Sequence, residues 1–282
     1  MNDGKPFFCC PICGRTLHRR GNALCCELRH SFDLASQGYV HLLPANRMHA
    51  RLPGDSKEMV AARRRFLDTG CYAPFAREIA RIARQACAGQ KHPVILDAGC
   101  GEGYYTDTVR RAFAEEEGVR VCGFDISKLA VASAARRYPA LELAVASCFA
   151  IPAKNASADL LLAIFSPIVP EEFARVVRPG GALLLAVAAP RHLFGLKEIL
   201  YDTPYENETK DTVYPGFVFE SRTPVRTTAT IYGQQTLHDL FAMTPYYWKT
   251  PADGAKRLQE KESLFTELGF DLLLYRRTED KG

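Results

Sequence analysis

Apolar residues cluster in short runs along the middle of the chain, and the runs alternate with stretches of helical spacing. Val94–Leu96 is a compact apolar run bounded by Pro93 and a glycine-rich turn, the pattern of a strand buried on both faces. A helix around residues 105–116 follows, then a strand over 119–124 and a helix over 128–137. Strands are predicted at 141–146, 160–165 and 182–188, with a helix near 171–177 before Pro179-Gly180-Gly181. This βα repetition implies a parallel sheet covered by helices on both faces. Farther on, 225–232 and 270–277 read as two last strands flanking a helix near 235–242, suited to an antiparallel edge. Upstream, Asp55 with Glu58 three residues later has the form of a capping box for a helix running through Leu67. Gly70-Cys71-Tyr72 breaks that helix, and a second amphipathic one spans 74–88.

At 282 residues the chain is long enough for one large domain and a small one. The net charge of +4 permits a nucleic-acid partner without arguing for one. No run of 18 apolar residues is present and the N-terminus lacks a signal-peptide core, so a cytoplasmic protein with no membrane partner is expected. Cys87, Cys100, Cys122 and Cys148 are scattered through the predicted elements and read as reduced, packed thiols. Cysteines near the N-terminus are grouped differently. Cys10-Pro-Ile-Cys13, a twelve-residue gap and Cys26-x3-His30 supply four thiolate or imidazole ligands in two tight pairs, which is what tetrahedral zinc requires. Cys9 and Cys25 offer shifted registers, and His18 is a weaker candidate in the middle of the gap. A redox pair would want a βαβ context that is missing here. The apolar stretch 32–44 is expected to complete this domain, giving boundaries at 1–46 and 47–282.

The turn after Val94–Leu96 reads Asp97-x-Gly99-x-Gly101-x-Gly103. It is neither the Gly-x-Gly-x-x-Gly of dinucleotide folds nor a phosphate loop ending in Gly-Lys-Ser/Thr. Asp97 stands at a strand's carboxyl end, where open α/β sheets bind ligands, and the glycines permit close backbone approach. Asp125 ends the next strand, about 20 residues on, where an acid can accept hydrogen bonds from both ribose hydroxyls. This arrangement resembles motif I of the Rossmann-like methyltransferases and implies S-adenosylmethionine as cofactor. Tyr105 and Thr106 begin the helix after the turn, whose backbone donors favour a cofactor carboxylate.

The resemblance becomes specific when more segments are read together. The zinc pairs precede Gly38-Tyr39-Val40, then Pro53-Gly54-Asp55-Ser56, Ala62-Arg63-Arg64-x-Phe66-Leu67, the glycine turn, Ala174-Arg175-Val176-Val177-x-Pro179-Gly180-Gly181, Pro190-Arg191-His192-Leu193 and Met243-Thr244-Pro245. Together they are similar to the bacterial large-subunit ribosomal RNA guanine-N1 methyltransferases. That resemblance implies an α/β Rossmann-like methyltransferase sheet with a small N-terminal zinc-binding domain that helps grip an RNA hairpin. It also implies Cys10, Cys13, Cys26 and His30 as metal ligands, and cofactor contacts from Tyr72, Asp97, Gly99, Gly101, Gly103, Tyr105, Thr106, Asp125 and His192. Arg47, Arg51, Arg63, Arg64 and Arg65 are candidates for RNA phosphate, and Phe165 for stacking on the base. Phe165-Ser166-Pro167 and the doubled Cys9 and Cys25 depart from the family pattern. No residue stands out as the base for the N1 proton, a homodimer is left open, and the alternative substrates are a protein or a small molecule.

Overall fold

The structure is a computed structural model that describes residues 5–44, 54–209 and 212–279. Arg47 and Arg51 lie outside the described residues. Five parallel strands form the centre: β5 (Val94–Ala98), β6 (Arg120–Asp125), β7 (Glu142–Val145), β8 (Ala158–Ile164) and β9 (Val177–Ala188). Two antiparallel strands extend one side as predicted, but β10 (Phe217–Tyr232) and β11 (Ser263–Arg277) each begin seven or eight residues before the predicted 225–232 and 270–277. The other side is closed by β4 (Val40–His41), giving the order β10-β11-β9-β8-β5-β6-β7-β4.

Successive residues of each central strand enter opposite apolar layers, as the pleat demands. Ile95, Leu160, Leu162 and Leu184 belong to one layer, and Leu96, Leu161, Ala163 and Leu185 to the other. The first layer is covered by α1 (Lys57–Asp68), α2 (Ala73–Ala86), α3 (Tyr104–Ala112), α4 (Lys128–Arg137), α6 (Phe194–Leu200), α7 (Gln234–Ala242) and α8 (Ala252–Gln259). The second is covered by α5 (Pro170–Val176) and by the N-terminal segment. No described helix is long and apolar enough to cross a membrane. All ten cysteines are unpaired, and Cys87, Cys100, Cys122 and Cys148 are buried as expected.

One local expectation is extended by the structure and another is corrected. The stretch ending at Pro44 does not close on the zinc domain alone. Val40 and His41 pair with β7, and Leu42 donates to the Val145 carbonyl at 2.9 Å. The reason is the exposed hydrogen-bonding edge of β7, which this short strand covers. At the start of α1 the cap is Ser56, whose hydroxyl accepts from the Met59 N–H at 3.2 Å. Asp55 is drawn elsewhere: its carboxylate pairs with Arg63 and its carbonyl accepts from the Ser127 hydroxyl at 3.1 Å.

Candidate functional site

Both ligand pairs near the N-terminus are formed by tight turns. Gly14, in the left-handed region at φ 70°, returns its N–H to the Cys10 carbonyl at 2.8 Å. Arg29 bonds the Cys26 carbonyl in the same way, at 3.0 Å. The side chains of Cys10, Cys13, Cys26 and His30 converge so that their ligand atoms lie within 4.8 Å of one another. The separations are 3.8 Å between the Cys13 and Cys26 sulfurs, and 3.5 and 3.3 Å from His30 Nδ1 to Cys10 and Cys26. Tetrahedral zinc, with bonds of about 2.3 Å to sulfur and about 2.0 Å to nitrogen, spaces its ligands roughly 3.5 to 3.8 Å apart. The donor set fits zinc. The other registers are resolved by placement: Cys25 donates to the Ser31 hydroxyl, Cys9 is buried against Pro152, and His18 faces solvent on β1 (His18–Arg20).

A second site opens at the carboxyl ends of β5, β6, β7 and β8, a cavity of about 660 Å³. Tyr72, Gly99, Gly101, Tyr105, Asp125 and His192 all line it, although they come from four separate parts of the chain. Asp97, Gly103 and Thr106 stand behind that surface. The Thr106 hydroxyl donates to Asp97 Oδ2 at 2.6 Å. Gly103 caps α3 at φ 85°, and a Cβ there would press on Ala134 and Tyr138.

The glycines do different work. A Cβ on Gly99 would come within 2.4 Å of the Ser166 Cβ, so this glycine makes room for the loop after β8. A Cβ on Gly101 would meet only the Arg63 guanidinium, at 3.8 Å, and it is this glycine that leaves space on the cavity side. Asp125 is held rigidly, accepting from the Gly101 N–H at 3.0 Å and the Ser127 N–H at 2.7 Å through different oxygens. Each oxygen retains a second acceptor position, which suits a pair of hydroxyls. Burial raises the Asp125 pKa against the pull of these two N–H bonds.

Asp97 Oδ1, Ser166 Oγ and His192 Nδ1 are buried with no hydrogen-bond partner among the described residues. Unmet polar atoms of this kind are costly unless a ligand satisfies them. With the acceptors on Asp125 and the open face of Gly101, they fit a polar nucleoside cofactor carrying an amino acid. Burial, opposed by the Thr106 hydroxyl and reinforced by Asp125, pushes the Asp97 carboxyl up to about 7. His192 moves the other way. Burial, and then the charge of Lys197, lowers its pKa to about 3, so the ring is neutral at physiological pH.

Three arginines of α1 part company. Arg63 lines the cavity and pairs with Asp55. Arg65 forms a two-pronged bond to the buried Asp239 of α7, at 2.8 and 2.6 Å. Arg64 lies at the surface, half exposed and 4.0 Å from Asp68. Phe165 follows β8 at φ 57°, an uncommon value for a non-glycine residue, and its half-exposed ring lines the cavity.

The sequence reading missed Ile126 and the loop 146–149 on one side, and Phe270 and Asn207 on another. The loop after β7 had a signal, since it follows a strand's carboxyl end. Phe270 had none: its stacking at 4.1 Å on Phe75 and its contact with His192 at 4.4 Å depend on where β11 inserts. A second groove, about 810 Å³, runs between Cys9–Gly14 and the segment 150–153. It shares Ile126, Ser147 and Phe149 with the first cavity, so the metal-binding domain borders that cavity.

Residues 8–51 match the zinc-ribbon family model described as RlmA, N-terminal, and residues 95–181 match a methyltransferase domain. The chain is 34% identical over 257 residues to the 23S rRNA (guanine(748)-N(1))-methyltransferase of Streptomyces fradiae, covering 89% of each. It is 36% identical over 215 residues to a Micromonospora griseorubida protein whose name also describes a 23S rRNA guanine-N1 methyltransferase, covering 70% of this chain and 71% of that one. A Bacillus subtilis protein with the same description is 30% identical over 278 residues, covering 95% of this chain and 96% of its own length.

Proposed function

This chain belongs to the 23S rRNA guanine-N1-methyltransferase family, and on that premise we propose that it methylates N1 of a guanine in a hairpin of large-subunit ribosomal RNA. What carries the reading to RNA is the 34% identity over 89% of the chain to a 23S rRNA guanine-N1-methyltransferase, and the groove of the zinc-ligand domain that borders the cofactor cavity at Phe149 supports it. The reaction belongs in the cytoplasm.

S-adenosylmethionine supplies an activated methyl group on a sulfonium, so the protein's task is alignment. Asp125 is placed to accept from the ribose hydroxyls, and Gly101 leaves the room they need. His192 Nδ1, on the cavity wall, is an unmet buried atom available to the amino-acid end, and Asp97 Oδ1, also unmet, stands just behind that wall. His192 stays neutral there, so it adds no positive charge beside a cationic donor. Tyr72 and Phe270, ring centres 5.1 Å apart, close the inner wall against water. Guanine N1 lies on the pairing edge, so a paired target has to leave its stack before transfer. Phe165 presents a half-exposed ring at the cavity to receive it. Arg64, exposed on α1, is the described arginine of that helix best placed to meet phosphate. A homodimer is part of the same reading, because β10 leaves a sixteen-residue strand at the sheet edge; sedimentation with and without RNA reads it.

The test is incubation of the protein with tritiated S-adenosylmethionine and unmodified large-subunit ribosomal RNA, followed by nucleoside analysis. Label in 1-methylguanosine is expected. Cofactor binding without label in RNA would move the substrate to another class.

A further inference from the structure

One wall of the cofactor cavity has no part in the mechanism above. After α7 the chain runs through Met243 and Thr244 into a short 3-10 turn, Pro245–Trp248, and Trp248 lines the cavity while 71% exposed. It is the single tryptophan of the chain. Leaving an indole in water forgoes the burial of a large apolar surface, so its position calls for an occupant.

The turn is braced. Lys249 and Thr250 both donate to the Tyr246 carbonyl at 2.9 Å, and the Tyr247 N–H donates to Thr244 at 3.3 Å. Trp248 stands edge-on against Tyr247, ring centres 5.1 Å apart, and Tyr247 rests 5.4 Å from Phe241 of α7. Behind Tyr246 lies the fully buried ammonium of Lys197, 5.6 Å from that ring and 4.3 Å from Tyr205. Lys197 also donates to the Tyr205 carbonyl and to Asn207 Oδ1, each at 2.8 Å. A buried cation is retained at a cost, and here it ties α6, the segment at 205–207 and the 3-10 turn together. The result is an exposed aromatic face on a firm support. Phe165 offers a second exposed ring on the same cavity from a different wall.

An extruded base has two π-faces and is read in a pocket by stacking as well as by its edge. We propose that Trp248 is a stacking platform for a purine of the target RNA at the cavity mouth, and that it does not contact the methyl donor. The inference rests on the RNA-methylation reading and adds a substrate-positioning residue to it.

Because Trp248 is the sole indole, intrinsic tryptophan fluorescence reports on it directly. Titration of the full chain with a hairpin fragment of large-subunit ribosomal RNA is expected to quench the emission, whereas S-adenosylhomocysteine leaves it nearly unchanged. Trp248→Ala should lower kcat/KM for the RNA by about 5- to 150-fold, the range for loss of one base–aromatic stack. S-adenosylhomocysteine affinity measured by calorimetry should hold, which also shows that the variant is folded, and Trp248→Phe should recover most of the loss. Quenching by S-adenosylhomocysteine together with weaker cofactor binding in the Ala variant would put the indole on the cofactor and overturn the proposal. So would an Ala variant with unimpaired kcat/KM on RNA that the wild type labels. A wild type that labels no RNA removes the substrate reading itself, and the platform with it.

Discussion

Asp97 shows how one residue can be read from sequence and yet act differently from its neighbours in the motif. Its carboxyl is fully buried, accepts one hydroxyl bond from Thr106 and leaves Oδ1 without a partner. With a pKa near 7 in the folded protein, against about 4 in an unfolded chain, it binds more protons folded than unfolded between those values. Its contribution to stability is therefore complete below about pH 4 and is lost as pH rises through about 7. In the cofactor-free protein, Asp97→Asn is expected to flatten the decline of Tm across that window while keeping the Thr106 bond. Superimposable Tm profiles for wild type and variant, measured by calorimetry, would contradict this. The neighbouring glycines make a related point. Gly99 and Gly101 stand two positions apart in one motif, but one accommodates Ser166 and the other the ligand space.

At the scale of the element, α1 carries three consecutive arginines with three different duties. Arg65 ties α1 to α7 through Asp239, whose carboxylate is buried and otherwise accepts from Gln235 at 2.9 Å. Removing Arg65 strips a buried carboxylate of its cation, which is destabilising even with the guanidinium half exposed. Arg65→Ala is expected to cost about 1–3 kcal/mol in denaturant unfolding, the discounted range for a partly solvated pair. Its effect on the salt dependence of RNA binding should be small. Arg64→Ala is expected to do the reverse, leaving unfolding within about 0.5 kcal/mol and lowering the slope of log K against log salt by about 1. A stability loss in the Arg64 variant and a slope change in the Arg65 variant would exchange these roles.

At the scale of the molecule, the zinc-ligand domain is continuous with the sheet. Phe8, Leu17 and Leu24 share an apolar layer with Leu96, Phe124 and Leu161, and β4 pairs with β7. The Phe7 N–H bonds Glu142 at 2.5 Å and the Cys9 N–H bonds Pro152 at 2.8 Å. Loss of the metal should therefore be felt beyond the ligands. Treatment with a strong chelator is expected to release one zinc per chain, as read by elemental analysis. It should also speed hydrogen exchange at Leu42 and Val145, where β4 and β7 pair, and abolish RNA methylation while cofactor binding is reduced far less. Unchanged exchange in β7 after full metal removal would show that the two parts are independent.

Local order was legible in the chain because it depends on local physics. Apolar runs ending in turn chemistry marked the central strands and the second halves of the two antiparallel strands β10 and β11. The pairs Cys10–Cys13 and Cys26–His30 pointed to zinc, because two such pairs satisfy a tetrahedral ion without long-range information. Asp97, the glycines and Asp125 pointed to the cofactor for the same reason. The rest required the closed sheet. That β4 would cross to β7, that Arg63 would turn to the cavity and Arg65 away from it, and that Phe270 and Trp248 would reach the site of Asp125 are outcomes of packing. Those residues meet because distant elements compete for the same apolar layers and hydrogen-bonding edges, and no window along the chain contains both partners.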